Sequence, residues 1–422
     1  MITLSISLTL FFLLLPLYVY IGYPLLLILI DKIKQTPPIK KDNITPSVTL
    51  LISCYNEINV IEKKIINCLS INYPKDKIDF IFISDASDDG TDEVISRYKD
   101  KGIKLICQQE RKGKTSGLNL AIQFVNSDII VFSDANAIYD SEAIKLLVRN
   151  FNDPSVGYVV GAALYSDKDF SNAGNSENKY WDYELFIKNL ESNISSVVGG
   201  DGAIYAIRSN LYQTLDTRDI NDFVNPLHII LKGYRGIFEP KARCFEETAG
   251  NFSKEAKRKV RIVNRSFWGL MKNISVLNPF KTGIFSFQIF SHKLLRWLIP
   301  FFLIIGEIGI IYLSYQNLIL FQILFLLSIL FLWICAIGFY FQNSRVLPIV
   351  FSYPYYFLIV NISSFLGIIK AIKGNIQVTW ESNRSSNNNN NINQVINFFV
   401  MLALILSIFI LHNIVYKILN HH

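Results

Sequence analysis

Three acidic side chains, Glu57, Asp85 and Asp134, each stand just past a short apolar run in this sequence. The runs, residues 48–53, 80–84 and 128–133, have the β-branched and aromatic content of strands. A single acid in such a place is more often a helix cap or turn former. Three of them converge on one crevice if the strands run parallel, because ligands of such sheets bind beyond the carboxyl ends. The chemistry on offer there is a divalent cation carrying phosphate oxygens. Mg2+ or Mn2+ takes one or two carboxylates and leaves its other positions to substrate and water. The phosphate-loop pattern GxxxxGK[ST] and the dinucleotide pattern GxGxxG are both missing, so nucleotide hydrolysis and dinucleotide redox chemistry lack their usual signals.

The elements that must position these acids are legible from periodicity. Apolar runs alternate with helical stretches through about residues 46–250, with a further strand at 103–107. Strands interleaved with helices predict an α/β domain with a mainly parallel, Rossmann-like sheet covered on both faces. The chain has 422 residues, room for such a domain and more, and 51% of them are hydrophobic, an excess gathered in the first thirty residues and after residue 294. A net charge of +7 suits anionic headgroups or phosphorylated substrates. No zinc finger, Arg-rich tail or RNA-binding aromatic signature is present, so nucleic acid is not an expected partner. The five cysteines are scattered without a CxxC pair and the five histidines form no ligand cluster, which argues against a disulfide framework or a zinc site and fits a reducing compartment.

Residues 3–30 carry no charge and are long enough to cross a bilayer. They are too long for a signal-peptide core and lack its basic leader and small-residue cleavage site. Lys32, Lys34, Lys40 and Lys41 follow, which puts that flank in the cytosol. Further spans are expected at about 297–315, 318–341 and 394–415. The apolar stretch 348–369 holds Pro348, Pro354, Asn361, Ser363 and Ser364. Its crossing would put Lys370, Lys373 and Arg384 outside, so it reads as an interfacial or re-entrant helix. Glu307, inside the second expected span, is either a functional intramembrane carboxylate or a solvated or paired one. The chain thus divides into an N-terminal transmembrane helix (1–30), a cytosolic domain with interface helices at its end (31–290) and a C-terminal membrane region (291–422), a multi-pass protein of the cell (inner) membrane.

With these elements in order, the residues resemble family-2 glycosyltransferases of the GT-A fold, in the membrane-embedded branch that holds hyaluronan and poly-N-acetylglucosamine synthases. The likeness covers about residues 46–385. Ser53-Cys54-Tyr55-Asn56-Glu57 is similar to the first donor loop, in which the acid approaches the nucleobase. Asp85, in Ser84-Asp85-Ala86-Ser87-Asp88-Asp89-Gly90, matches the aspartate that contacts uracil and ribose, with Asp88 on the same loop. Arg111-Lys112-Gly113-Lys114 resembles the basic loop that neutralises the diphosphate, and Lys112 is the expected contact. Asp134-Ala135-Asn136 stands where the family has its metal-binding DxD, making Asp134 and Asn136 the expected ligands, with a neutral amide in place of the second carboxylate. Gly200, Asp201 and Gly202 fall in the small-residue acceptor segment, where glycines let a sugar ring approach the backbone.

Asn221-Asp222-Phe223 occupies the place of the family's general base, so Asp222 is the expected base, with a helix cap as its alternative. Arg258-Lys259-Val260-Arg261-Ile262 resembles the QxxRW motif: Arg261 matches its arginine, while Arg258 and Ile262 replace glutamine and tryptophan, and Trp268 follows. A basic amphipathic interface helix explains the same residues equally well. Trp380 and Arg384 are similar to the gating segment, expected over 379–384, that reaches back to the nucleotide. Glu246 and Glu247 are runners-up for the site. The resemblance implies inverting, metal-dependent transfer from a nucleotide-sugar, a UDP-sugar first, to a saccharide or lipid-linked acceptor, with Mg2+ or Mn2+ as cofactor. It also implies membrane lipid as a partner, with export partners left open. Polymer synthesis and single addition both remain open at this point, and the alternatives of another class are a non-catalytic membrane scaffold or export partner that keeps the fold and, third, a nucleotidyltransferase.

Overall fold

The computed structural model describes residues 1–34, 36–166, 172–247, 252–342 and 347–379, with isolated residues between 398 and 410; the side chains of 166–179 are outside the description. Trp380, Arg384 and most of the expected span 394–415 lie outside the described residues.

The chain begins with the long apolar helix α1 (Ile2–Ile33) and then enters a sheet. Strands β1 (Val48–Cys54), β2 (Ile78–Ser84), β3 (Ile103–Cys107) and β4 (Ile129–Asp134) are parallel neighbours in the order β3-β2-β1-β4. All of β1 is buried, which is why it reads as an unbroken apolar run with no alternation. Helices α2 (Ile61–Leu69), α3 (Thr91–Ser96) and α4 (Lys114–Ala121) make the crossovers. The register is level at the carboxyl ends, with Cys54 beside Ser84, Ser84 beside Cys107 and Ser53 beside Asp134. The loops that follow these strands therefore open on one edge.

Beyond β4 the sheet becomes mixed. The short β5 (Ile138–Tyr139), helix α5 (Ala143–Val148), β6 (Val156–Ser166), helix α6 (Asn172–Ile194), β7 (Tyr205–Arg208), helix α7 (Asn221–Leu231) and β8 (Arg235–Glu247) follow in the chain. Their spatial order continues β4-β7-β6-β8-β5, with β7 antiparallel to both neighbours and β8 parallel to β6. One face of the sheet packs on a core built from α2 and α5, including Ile61, Ile65, Ile144 and Leu147. The other packs on Leu118, Phe223 and Leu227, and through them on residues of the membrane-side helices.

Those helices are α8 (Phe252–Lys272), α9 (Ile284–Tyr315), α10 (Ile319–Tyr340) and α11 (Ile349–Ile372). Helices α1, α9, α10 and α11 are long and apolar enough to cross a membrane. Helix α9 begins at Ile284 and not near 297, because Phe285, Ile289 and Trp297 belong to the domain's core. At about 1.5 Å per residue its 32 residues exceed a ~30 Å hydrocarbon layer, and the surplus is the part docked on the domain. Glu307 on α9 accepts a hydrogen bond from Ser328 of α10 at 2.8 Å.

The ambiguous stretch forms one continuous helix, α11, and its course is informative. It runs alongside the strongly basic α8: Phe252 meets the Tyr355 ring at 5.0 Å, Ser363 donates to the Ala256 carbonyl and Asn264 donates to the Gly367 carbonyl. After α11 the chain returns to the domain, where Gln377 N–H donates to Asn264 Oδ1 at 2.9 Å.

Candidate active site

One end of the crevice is built by loops that hold one another. Asp85 is buried, and its Oδ1 accepts from Gln108 Nε2 (2.7 Å) and from the backbone N–H groups of Lys112 (2.8 Å) and Gly113 (2.9 Å). Burial raises its pKa, opposed by those two backbone donors. Asp85 is thus the post on which the basic loop hangs. Asn56 and Asp88 exchange hydrogen bonds of 2.7 and 3.0 Å between the first two loops, and Glu57 N–H donates to Thr91 Oγ1 at 2.9 Å. The Arg111 guanidinium lies over the Tyr55 ring at 3.9 Å.

The grip on the 112 and 113 amides decides which lysine faces inward. Lys112 points to solvent, 3.4 Å from Glu110, with 60% of its side chain exposed. Lys114 opens α4, is 15% exposed, and donates to Asp134 Oδ1 at 2.5 Å and to the Gly202 carbonyl at 3.3 Å. Lys112, the contact expected from the sequence, thus lies in solvent, and the lysine that faces the crevice is Lys114. Gly113 stands between them with φ +85°, in the left-handed region. A Cβ there would also stand 2.7 Å from the Val378 carbonyl, so the stretch after α11 presses directly on the donor loop.

Gly202 marks the centre. A Cβ on it would lie 3.2 Å from Asp222 Oδ2 and 3.5 Å from both Asp134 Oδ2 and Lys114 Nζ. Two carboxylates and an ammonium thus surround a spot that only glycine leaves open. Gly200 N–H donates to the Asp222 carbonyl, and Asn221 and Asn225 donate to the Tyr205 hydroxyl at 2.8 and 3.1 Å, which fixes the first turn of α7. That helix has Ile220 at its N-cap with no side-chain capping bond, so Asp222 does not serve as the cap. Its Oδ1 is buried with no hydrogen-bond partner among the described residues. Burial raises its pKa; Lys114 opposes this, and Asp201 and Asp134 add to it. Glu246 is pushed up to about 8 by burial and then by the charges of Asp134 and Asp201.

A basic wall closes the crevice from α8. Arg261 is half-buried and has no hydrogen-bond partner among the described residues, and the charges of Asp134 and Asp222 counter the lowering that burial imposes on its pKa. Arg258 pairs with Glu255 at 2.9 Å and lies over the Tyr165 ring at 5.7 Å. Arg265 is a latch. Its guanidinium donates to the carbonyls of Arg218, Thr217, Asp219 and Val378 and to Thr115 Oγ1, and burial first, then Arg261, push its pKa down to about 10. Trp268 lies under the Arg218 guanidinium at 4.7 Å. Asp201 is buried and paired with Lys188 at 3.2 Å.

Lys64 is a further residue whose part the sequence reading missed. It is fully buried, donates to Ser133 Oγ at 2.8 Å and to the Ala137 carbonyl, and lies over the Tyr139 ring at 4.3 Å, bracing the turn that holds Asp134 and Asn136. Its signal was its place on the inward stripe Ile61, Lys64, Ile65, Cys68. Among the described residues no group of three or more His, Cys, Asp or Glu could hold a metal ion. A hard cation here would have Asp134 as its carboxylate ligand, 39% exposed and paired with Lys114, and would draw the rest of its shell from Asn136, diphosphate and water.

Residues 49–211 match the model of the family described as glycosyl transferase family 2. The poly-beta-1,6-N-acetyl-D-glucosamine synthase of Staphylococcus aureus (strain MSSA476) is 28% identical over 253 residues, 57% of this chain and 61% of that protein. The synthase of the same description from Staphylococcus epidermidis is 24% identical over 238 residues, 53% of this chain and 57% of that one. The chain thus spans about three-fifths of the length of these relatives. A solved structure, the mannosyltransferase PcManGT from Pyrobaculum calidifontis in complex with GDP-Man and Mn2+, is similar in fold with a TM-score of 0.63 and 20% identity, covering 88% of this chain and 98% of that one. Residues 49–211 of this chain form a family-2 glycosyltransferase domain, built on the GT-A fold and attached to helices long and apolar enough to cross a membrane.

Proposed function

We propose that the chain moves a sugar from a nucleotide diphosphate donor to a saccharide or lipid-linked hydroxyl at the cytoplasmic face of the cell membrane, with inversion, in the synthesis of an extracellular or capsular polysaccharide. The observation that carries this reading is the convergence of Asp134, Asp222 and Lys114 on the open spot at Gly202. Asp222, whose Oδ1 has no described partner, takes the proton from the attacking hydroxyl. Lys114 and Arg261 meet the negative charge that develops on the departing diphosphate. Mg2+ or Mn2+, held by Asp134 and Asn136, would supply further positive charge to the same oxygens when bound. Asp85 and Lys64 keep the two donor loops in shape around them.

The synthases from the two staphylococci make UDP-N-acetylglucosamine the first donor to try, and the mannosyltransferase adds GDP-mannose. The side-by-side course of α8 and α11 supports an interfacial α11: α8 carries Lys254, Lys257, Arg258, Lys259 and Arg261 and cannot sit in hydrocarbon, so its neighbour lies at the same depth. In the test, full-length protein in nanodiscs is screened against UDP- and GDP-sugars, with and without Mn2+. Asp222→Asn is expected to abolish transfer while UDP still binds. Unchanged turnover in that variant removes Asp222 as base, and no turnover of any donor by the wild type removes the reading.

A further inference from the structure

A second set of buried charges lies along helix α6, and no step above uses it. Glu184, Lys188 and Glu191, spaced i, i+4 and i+7, fall on one stripe and are all buried. Toward the active site, Lys188 donates to Asp201 Oδ2 at 3.2 Å and Glu191 Oε2 accepts from Val198 N–H at 3.0 Å. Two side chains of one helix thus hold both ends of the Val198–Asp201 stretch, which delivers Gly202 to Asp134 and Asp222. Toward the membrane helices, Glu191 Oε1 accepts from the Tyr23 hydroxyl of α1 at 2.6 Å and meets His292 Nδ1 of α9 at 2.7 Å. His292 Nε2 lies 3.1 Å from Glu184 Oε2, Arg296 pairs with Glu184, and Gln288 donates to the Glu191 carbonyl at 3.1 Å. A buried ion pair contributes little net stability compared with apolar packing of the same volume, so stability alone does not account for this arrangement.

We infer that Lys188 and Glu191 are positioning residues: they set the Val198–Ala203 loop against Asp134 and Asp222, and His292 of the membrane-side helix sets Glu191 in turn, with Arg296 holding Glu184 on the same stripe. The acceptor side of the site takes its geometry from α6 and the membrane-side helix behind it, while the donor side is held by Asp85 and Lys64, with Val378 packed against it. The catalytic consequence rests on the proposed function; the geometric one does not.

The experiment compares full-length wild type with Glu191→Gln, His292→Gln and Lys188→Met in nanodiscs, with Lys188→Arg as the rescue. The glutamine offers one acceptor oxygen where the carboxylate uses two. Hydrogen exchange of the 198–203 amides is expected to speed up in the first three variants, with the donor-loop amides at 108–114 unchanged. With UDP-N-acetylglucosamine and N-acetylglucosamine oligomers, acceptor KM is expected to rise about tenfold, the loss of one charge-assisted hydrogen bond. The dissociation constant of UDP stays within about twofold over the same series. Lys188→Arg restores both readouts. Unchanged exchange at 198–203, or exchange and UDP affinity loosening together at both loops, overturns the inference. If the wild type turns over no donor, the functional reading fails and the exchange data still decide the positioning. Should Lys188→Met not fold, Glu191→Gln, which keeps side-chain volume, and His292→Gln carry the same comparison.

Discussion

Replacing Lys114 with methionine, beside the same change at Lys112, is the sharpest test of the site. The two lysines flank Gly113 and are equivalent in charge, yet their surroundings differ. Lys114 is 15% exposed and 2.5 Å from Asp134, whereas Lys112 is 60% exposed and faces Glu110, itself 76% exposed. Unit charges about 4 Å apart attract by about 4 kcal/mol at an effective dielectric of ~20, the value near a protein surface, and by about 1 kcal/mol in bulk water. A diphosphate at Lys114 falls under the first figure and one at Lys112 under the second. Residual water at the mouth of the crevice reduces the first to about 3 kcal/mol, or about 10²-fold in kcat/KM, as for other preorganised donors to a developing anion. Lys112→Met is expected to cost less than about fivefold. The assay is UDP release from UDP-N-acetylglucosamine by full-length protein in nanodiscs. Asp134 is 39% exposed, so its loss of a partner leaves it solvated and the fold intact. Equal losses in the two variants, or a Lys114→Met enzyme within about threefold of wild type, refute the reasoning.

Gly202→Ala puts a methyl 3.2 Å from Asp222 Oδ2 and 3.5 Å from Lys114 Nζ, so transfer is expected to fall by about 10² or more while the melting temperature stays within a few degrees. Because burial raises the Asp222 pKa, kcat/KM should decline on the acid side at a pH above the ordinary aspartate range, and Lys114→Met should move that limb further up. The same shift makes ionised Asp222 a liability to the fold at neutral pH. Asp222→Asn is therefore expected to melt higher than wild type at pH 7, the difference fading below the unfolded aspartate pKa, as followed by calorimetry. Arg265→Met strips donors from the Arg218, Thr217, Asp219 and Val378 carbonyls and is expected to cost about 3 kcal/mol, roughly 6–12 °C in melting temperature. Arg265→Lys should recover little of it, since one ammonium cannot span those acceptors.

Legible along the chain were the four parallel strands, the acids at their carboxyl ends and the long apolar helices, but not the mixed half of the sheet, β5 to β8. The legible strands and helices rest on local hydrophobic pattern, and a run such as 48–54 has no alternative to burial on both faces. Asp134, Asp222 and Arg261, singled out in the sequence, do lie together, because the fold brings the ends of adjoining elements into one place. Tertiary structure decided which side chain of a loop faces inward. Lys112 and Lys114 are indistinguishable in a linear reading, and the bonds from Asp85 to the 112 and 113 amides turn one out and the other in. It decided that Asp85 spends an oxygen on the loop, that Asp222 is not a cap, and that Trp268 lies under Arg218. Nothing in the linear pattern pairs α11 with α8, and the partners of Glu191, Tyr23 and His292, lie far off in the chain. Pattern is local and selects elements; the partner of a buried polar group is set by long-range packing, which no window along the chain contains.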